Sequence, residues 1–394
     1  MNEAVIVGYA RTPIGKFGGG LSSMSAMDLG GVAIKGALER SGVPGDAVEY
    51  VVMGHVLQAG QGQITARQAA FRAGIGMNTP ALTVNKVCLS GMSAIALANQ
   101  AITLGEFDVV VAGGMESMSN APYLLPKART GYRMGNGQLV DAMIHDGLWC
   151  AFDDGHMGEG SDKVNTELQI SREAQDEWSA ASHERAVSAW KDGRFADEVV
   201  PVAVPQRKGD PITVDTDEGM RPGTTPESLS KLVGAFNRET GTITAGNASQ
   251  ISDGAAALVL ASRAKAEELG LQPLGRVVSY GTVAGPDPSL HHQPAAAIEK
   301  AAARIDADPA GFDLYEMNEA FASVAIHSAK LLGLDSEKVN VNGGAVALGH
   351  PIGCTGARIT ITLLNELRNR GGGRGAAALC GGGGQGDAII VETL

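Results

Sequence analysis

The chain has 394 residues, which exceeds the usual size of one domain and predicts two or three units that share interfaces. It is 44% hydrophobic and 19% charged, a composition that excludes a disordered or fibrous protein. The formal net charge of −12 argues against a nucleic-acid-binding surface, but a local basic patch can still hold an anionic polyphosphate ligand.

Disulfides, metal sites and targeting segments find little support in the sequence. The four cysteines, Cys88, Cys150, Cys354 and Cys380, show no CxxC spacing, so neither a zinc site nor a redox pair is predicted. The start of the chain has no basic segment or cleavage site, residues 392–394 are not a peroxisomal address, and no uninterrupted apolar run reaches membrane-spanning length. We therefore expect a cytoplasmic protein without a membrane partner, a nucleic-acid partner or a metal.

Short apolar runs alternate with amphipathic ones along the chain, which predicts an α/β protein of layered helices and sheets. A largely buried helix is predicted from Leu89 to Leu104, ended by Gly105 and followed by a strand over 109–112. Its second apolar stripe comprises Ala94, Leu97, Ala101 and Leu104. Near the other end of the chain, a helix over 357–370 is followed by strands over 376–379 and 388–391. The repeated helix–strand–glycine order indicates two halves that are built alike.

The middle of the chain, residues 121–247, differs from both halves. It is rich in charged residues and methionine and contains several helical patterns. One of them begins after Ser171, which is a suitable N-cap, and continues to Trp190. We interpret this segment as an inserted, more exposed domain.

Cys88 stands between an apparent strand end and the predicted buried helix, in the sequence Asn85-Lys86-Val87-Cys88-Leu89-Ser90-Gly91. A thiol at a helix N-terminus is close to free N–H groups and to the positive end of the helix dipole, which favour the thiolate. The alternative is an inert core thiol, because free cysteine is among the most buried residue types.

Asn318 and His350 are the next candidates along the chain. Asn318 lies in Glu316-Met317-Asn318-Glu319-Ala320-Phe321, where its amide is suited either to an N-cap or to orienting a water or an oxyanion. His350 lies in Gly349-His350-Pro351-Ile352-Gly353, where proline and glycine present it rigidly at the end of a loop. That placement suits a general base beside a thiol, and a structural histidine that caps the helix is the alternative.

Cys380 precedes four glycines, Gly381 to Gly384, at the end of a predicted strand. A glycine loop lets a ligand approach the main chain and leaves N–H groups free to hold a developing oxyanion. Glycine runs also occur in simple turns, so this motif alone is weak evidence.

Together, these motifs resemble those of the thiolase family, in order and over essentially the whole chain. Further segments that resemble thiolase sequences are Arg11-Thr12-Pro13-Ile14-Gly15, residues 113–119, residues 155–158 and residues 246–256. The resemblance implies two duplicated α/β halves in layered helix–sheet packing with an inserted loop domain. We expect residues 1–120 plus 248–270 to form the N-terminal half, 121–247 the loop domain and 271–394 the C-terminal half.

By the same resemblance, Cys88 is the nucleophile that carries the acyl group, His350 activates it, and Cys380 deprotonates the second acetyl-CoA. Asn318, through a water, and His350 are implied to hold the thioester oxygen of the attacking acetyl-CoA. The N–H groups of Cys88 and Gly382 are implied to hold the other oxyanion. The implied reaction is the reversible condensation of two acetyl-CoA molecules to acetoacetyl-CoA and CoA.

The implied CoA contacts are Ser249 at the pantetheine, Arg221 near the adenine, and a pocket of His156, Met157, Phe236 and Phe321. CoA and acyl-CoA are substrates, and no metal or redox cofactor is required. A homotetramer is expected, with residues Lys127 to Gly137 at the contact between dimers.

Two stretches depart from the family pattern beside the acyl pocket. Glu159-Gly160-Ser161-Asp162 replaces a Thr-Ala-Glu-Asn type run, and Leu290-His291-His292-Gln293-Pro294 replaces a Met-Gly-Thr-Gly-Pro segment. These departures leave the substrate length open, so one alternative is a degradative 3-ketoacyl-CoA thiolase of broader chain length. An alternative of another class is a non-catalytic acyl-CoA-binding protein on a thiolase fold. A ketosynthase is disfavoured because it would usually offer a second histidine instead of Cys380. Cys354 is interpreted as a spectator.

Overall fold

The computed structural model describes residues 2–394. The strands are β1 (Ala4–Arg11), β2 (Gly15–Lys16), β3 (Tyr50–Gly54), β4 (Ala81–Val84), β5 (Val109–Ser117), β6 (Tyr123–Leu124), β7 (Val140–Asp141), β8 (Trp149–Cys150), β9 (Gly155–His156), β10 (Val202–Val204), β11 (Ile212–Val214), β12 (Ser252–Ser262), β13 (Gly275–Ala284), β14 (Leu314–Met317), β15 (Arg374–Gly381) and β16 (Gln385–Thr393). The helices are α1 (Ala26–Ser41), α2 (Thr65–Arg72), α3 (Ser90–Leu104), α4 (Met157–Glu167), α5 (Arg172–Lys191), α6 (Pro226–Leu229), α7 (Arg263–Glu268), α8 (Gln293–Ala303), α9 (Ala322–Leu331), α10 (Ala345–Leu348) and α11 (Thr355–Asn369).

The main sheet consists of two matching halves. In the first, the order is β1-β12-β5-β3-β4, and in the second it is β13-β16-β15-β14. Each half begins with antiparallel pairs, β1–β12–β5 and β13–β16–β15, and continues with a parallel pair, β5–β3 and β15–β14. The halves are joined through the single residue pair Ile6–Gly275. The duplication expected from the repeated motifs is therefore confirmed.

Helices α3 and α11 pack against each other and against the strands of both halves, while α1 and α2 cover one outer face and α8 and α9 the other. The two central helices approach closely because each has a glycine as its second residue. A Cβ atom at Gly91 would lie 2.9 Å from the backbone nitrogen of Ala357, and one at Gly356 would collide with the backbone of Met92. This contact brings together the helix starts that follow Cys88 and His350.

Helix α3 begins at Ser90, one residue after the predicted start, and ends as predicted, because Gly105 adopts the left-handed conformation that ends it (φ +79°). The second apolar stripe is not buried as expected, since Leu97 is 40% exposed and Leu104 is 72% exposed. Residues 87–104 are long enough and apolar enough to cross a membrane. However, 61% of them are buried inside the protein, which is typical of a central core helix.

Residues 121–247 contain α4, α5 and several two- and three-residue strands. The predicted N-cap is confirmed, because the Ser171 hydroxyl accepts a hydrogen bond from the backbone of Ala174 at the start of α5. The domain boundaries that the sequence suggests remain predictions.

Candidate active site

Cys88 lies two residues before the first residue of α3 and is only 6% exposed. The preceding residue, Val87, has a φ of +50°, a left-handed conformation that a β-branched side chain strongly disfavours. Such a residue costs about 1–3 kcal/mol and persists only where its surroundings hold it. Here its N–H donates to the Asn85 side chain, and its carbonyl accepts from the Ser90 hydroxyl. The strained turn thus presents the Cys88 thiol to the loop of residues 349–354.

His350 meets this thiol from the opposite half of the molecule, with Nε2 3.3 Å from the Cys88 Sγ atom. Its Nδ1 lies 2.7 Å from the Thr355 hydroxyl, which itself donates to the carbonyl of Pro351. Because that hydroxyl proton is already used, the Thr355 oxygen accepts from Nδ1–H. The imidazole is therefore fixed in the tautomer whose Nε2 lone pair faces the thiol, as a general base requires.

Burial determines the resting protonation of this pair. It raises the pKa of the Cys88 thiol to about 12, and the backbone hydrogen bond that lowers this pKa does not compensate. Burial also lowers the pKa of His350 to about 3, with a further lowering by the positive charge of Arg358. The thiolate expected at the helix terminus is therefore wrong for the resting site. A neutral thiol faces a neutral imidazole, and the proton moves only as the sulfur attacks.

Cys380 is the penultimate residue of β15 and is 1% exposed, at the strand end that the sequence predicts. It lies in an apolar cluster with Leu290 and Phe321. Burial raises the pKa of its thiol, and the nearby Cys88 raises it further. Gly382 follows in the glycine loop, where an added Cβ would lie 3.4 Å from Val87 and 3.6 Å from the Met157 sulfur. The loop therefore covers the turn that carries Cys88.

Asn318 completes the cluster, with its amide nitrogen 3.5 Å from His350 Nε2. Its Oδ1 atom is buried and has no hydrogen-bond partner among residues 2–394. The N-cap alternative is wrong, because α9 begins only at Ala322 and Phe321 occupies its N-cap position. A buried, unpartnered amide oxygen costs free energy unless a ligand or a water satisfies it, which favours a role in binding.

Three buried residues that the sequence did not single out hold these groups in place. Thr355 fixes the His350 tautomer, as described above. The Glu116 carboxylate accepts from the backbone of Gly353 at 2.9 Å and of Val56 at 3.1 Å. The carboxylate of Glu319 accepts from Val346 at 3.0 Å in α10 and from side chains of α5 and Asn340. The sequence could have pointed to two of these residues only through their positions in the quoted motifs. Glu319 directly follows Asn318, and Glu116 lies within residues 113–119.

Comparisons with known proteins identify the family to which the chain belongs. The chain matches the families described as "Thiolase, N-terminal domain" over residues 4–264 and "Thiolase, C-terminal domain" over residues 271–393. The chain belongs to the thiolase family.

Among full-length relatives of this thiolase, a "Probable acetyl-CoA acetyltransferase" of Mycolicibacterium smegmatis is 57% identical and covers 98% of this chain and 100% of the relative. An "Acetyl-CoA acetyltransferase" of Cupriavidus necator is 51% identical and covers all of both chains. The crystal structure of the Bacillus anthracis acetyl-CoA acetyltransferase superposes with a TM-score of 0.97 at 42% identity, over 100% of this chain and 99% of that chain. The expected thiolase fold is confirmed.

Most of the expected pocket residues of this thiolase lie together. The rings of His156 and Phe236 are 4.6 Å apart, and Phe236 packs on the cluster that holds Cys380 and Phe321. Met157 faces the glycine loop through Gly382. Burial lowers the pKa of His156, so this ring is neutral. Together they form an apolar pocket beside the two cysteines.

The two remaining CoA candidates are Ser249, which lies beside this cluster, and Arg221. Ser249 is half-buried and donates its backbone N–H to Ala320, next to Phe321. Arg221 is exposed, and its backbone is held by His183.

Cys354 is the third buried thiol near the site. It is 1% exposed and packs in the hydrophobic cluster that also contains Cys88, and burial raises its pKa to about 12. This position fits a spectator thiol. Within residues 2–394, no group of three or more His, Cys, Asp or Glu side chains is arranged to hold a metal ion.

Proposed function

We propose that the protein is an acetyl-CoA C-acetyltransferase that condenses two acetyl-CoA molecules reversibly to acetoacetyl-CoA and CoA. The observation that carries the proposal is the Cys88–His350 pair, with 3.3 Å between Sγ and Nε2, beside a second buried thiol at Cys380. The names of the relatives, which are 49–57% identical over nearly the full chain, agree with this activity.

Acylation uses the Cys88–His350 pair. As the Cys88 sulfur attacks the thioester carbon of the first acetyl-CoA, its proton moves to Nε2 of His350. The CoA thiolate leaves, and the Cys380 thiol protonates it. This transfer leaves a buried thiolate at Cys380. Because burial raises the pKa of this group, the thiolate is a strong base.

Condensation uses Cys380. Its thiolate removes a methyl proton from the second acetyl-CoA, and the resulting enolate carbon attacks the acetyl carbon on Cys88. The Cys88 thiolate then leaves and recovers its proton from His350, which gives acetoacetyl-CoA. An acetyl methyl group is a very weak carbon acid, so the enolate must be stabilised as it forms.

Two groups are placed to stabilise that enolate. Nε2 of His350 and a water held by Asn318 would face the thioester oxygen of the second acetyl-CoA. The 3.5 Å spacing of the two side chains and the unpartnered Oδ1 of Asn318 support this role. We assign the second oxyanion, on the acetyl group of Cys88, to the N–H groups of Cys88 and Gly382.

CoA and its thioesters are substrates, and the chemistry above requires no metal or redox cofactor. We assign the pantetheine to Ser249 and the pocket of His156, Met157, Phe236 and Phe321, and the adenine end to Arg221. A cytoplasmic location is part of the same proposal, because acetyl-CoA and acetoacetyl-CoA are soluble metabolic intermediates.

The reaction is tested by initial-rate kinetics. With acetoacetyl-CoA and CoA as substrates, varying one at fixed levels of the other should give parallel double-reciprocal lines, because the acyl enzyme forms before CoA binds. Intersecting lines with real turnover would contradict the covalent route. The absence of any turnover would instead favour the alternative of a non-catalytic acyl-CoA-binding protein.

We also propose a homotetramer with residues Lys127 to Gly137 at the contact between dimers. Apolar side chains in and beside this segment are unusually exposed: Met134 by 96%, Leu139 by 63% and Leu125 by 50%. Such exposure is typical of interaction surfaces. Light scattering at micromolar concentration should give four times the chain mass, and Met134→Lys should reduce it to a dimer. A monomer in both cases would refute the proposal.

A further inference from the structure

An ion pair that the mechanism above does not use joins the nucleophile turn, residues 85–88, to the hairpin of β15 and β16. The Lys86 ammonium lies 2.7 Å from Oδ1 of Asp387, whose side chain is fully buried. Lys86 precedes Cys88 by two residues, and Asp387 lies three residues after the glycine loop. Since the two partners are 301 positions apart in the chain, the pair fixes the turn of one half to the other half.

The same carboxylate also holds the helix that follows the nucleophile. Oδ2 of Asp387 accepts a hydrogen bond of 2.9 Å from the Ser93 hydroxyl, in the first turn of α3. Lys86 stands before Cys88 in the chain, and Ser93 stands after it. Asp387 therefore fixes the chain on both sides of the reacting thiol.

The hairpin that carries Asp387 is itself held firmly in the main sheet. Asp387 lies opposite Leu379, the neighbour of Cys380, in β15, and opposite Thr282 in β13. The Thr282 hydroxyl accepts a second hydrogen bond from the Lys86 ammonium, at 2.9 Å. The lysine is thus bound to two adjacent strands, and the sheet determines where the nucleophile turn lies.

The internal conformation of the nucleophile turn does not depend on the ammonium. Its left-handed residue, Val87, is held by the Asn85 side chain and the Ser90 hydroxyl. The backbone N–H of Lys86 donates to the same hydroxyl at 2.8 Å. The lysine side chain therefore sets the position of the turn relative to the hairpin, whereas local hydrogen bonds set its shape.

From these contacts we infer that Lys86 and Asp387 are positioning residues that set the spacing between the N–H groups of Cys88 and Gly382. The inference rests on the proposed function, in which these two groups hold the oxyanion on the acetyl group. One donor belongs to the nucleophile turn and the other to the tip of the hairpin, and the ion pair spans the two segments. Oxyanion donors must lie about 2.7–3.1 Å from the oxygen, so a small shift of the turn against the hairpin removes one of them.

Two reactions of the same thiol distinguish this role from a general structural one. Acetylation by acetyl-CoA places negative charge on a carbonyl oxygen and needs the oxyanion donors. Alkylation by iodoacetamide forms a sulfur–carbon bond as iodide leaves, and no oxyanion develops. Both reactions need Cys88 beside His350, because the thiol proton must be removed. A displaced oxyanion donor therefore slows acetylation alone, whereas a displaced thiol slows both reactions.

The test compares these two reactions in Lys86→Met, which keeps the apolar stem and removes the charge. The lysine side chain is 25% exposed, so the change is made at the edge of the core. Exchange of labelled CoA into acetyl-CoA should fall at least about tenfold, because the loss of one oxyanion donor costs on the order of 10²–10³-fold in rate. Alkylation of Cys88 by iodoacetamide, followed by peptide mass spectrometry, should keep the wild-type rate. Lys86→Arg retains a positive charge and should restore most of the exchange.

Two further variants serve as controls. Arg276→Met removes another ion pair between β13 and β16, the 2.7 Å contact with Glu392 at the far end of the strands, and should change neither rate. The double variant Lys86→Met/Asp387→Asn leaves no unpaired buried charge and should exchange as slowly as Lys86→Met.

Three results would overturn the inference. They are an unchanged exchange rate in Lys86→Met, an equal loss of exchange and alkylation, and recovery of wild-type exchange in the double variant. The last of these would show that the loss came only from an unpaired charge on Asp387. A wild type that exchanges no CoA into acetyl-CoA would contradict the proposed function instead.

Discussion

Replacing Cys380 by alanine is expected to separate the two halves of the reaction. Cys88, His350 and their 3.3 Å contact remain, so the acetyl enzyme should still form, although more slowly because the leaving CoA loses its proton donor. Condensation should fall further, since the second acetyl-CoA has lost its base. The loss of a positioned general base costs on the order of 10²–10⁴-fold in rate.

Acylation and condensation can be measured separately. Exchange of labelled CoA into acetyl-CoA reports acylation alone, and acetoacetyl-CoA formation reports both steps. Cys354→Ala is the matched control, because it removes a thiol of similar burial from the neighbouring core. If Cys380→Ala condenses at the wild-type rate while Cys354→Ala does not, the second catalytic thiol is Cys354 and the assignment is wrong.

Replacing His350 by alanine is expected to suppress both half-reactions, each by at least on the order of 10²–10⁴-fold. The reason is the protonation of the pair. With the pKa of Cys88 raised to about 12 by burial, almost no thiolate exists at neutral pH, and attack depends on transfer of the proton to His350. Labelled-CoA exchange and acetoacetyl-CoA formation should therefore decline together. A variant that retains fast exchange would show that Cys88 ionises without His350.

Two substitutions of Thr355, one that keeps its hydroxyl and one that removes it, test in the same assays whether this residue positions His350. Thr355→Ser keeps the hydroxyl that accepts from Nδ1 of His350 and should retain most activity. Thr355→Val removes that acceptor and frees the imidazole to adopt the other tautomer, so kcat should fall while KM for acetyl-CoA stays nearly constant. Equal losses in the two variants would indicate a packing role instead of a positioning role.

Local sequence signals predicted the parts of the fold that depend on local chemistry. Gly105 predicted the end of α3 because the helix requires a left-handed residue there, and Ser171 predicted the start of α5. The short apolar runs predicted β5 and β16, which are buried along nearly their whole length. These features need only a few neighbouring residues.

Features that depend on distant parts of the chain were not accessible in this way. The exposure of Leu97 and Leu104 depends on which face of α3 meets the other half. The resting thiol at Cys88 reflects burial by both halves, which outweighs the helix terminus. His350 lies 262 residues from Cys88 in the chain, and its Nδ1 proton is fixed by Thr355 only after the loop has folded. The sequence predicted which residues react, whereas a prediction of their protonation required the structure.

The claim that Cys88 carries the acyl group is tested most directly by mass spectrometry of the protein after incubation with acetyl-CoA alone. Rapid acid quenching followed by peptide analysis should find one acetyl group per chain, on the peptide that contains Cys88, and addition of CoA before quenching should remove it. An acetyl group on Cys380 or Cys354 with Cys88 unmodified would contradict the account.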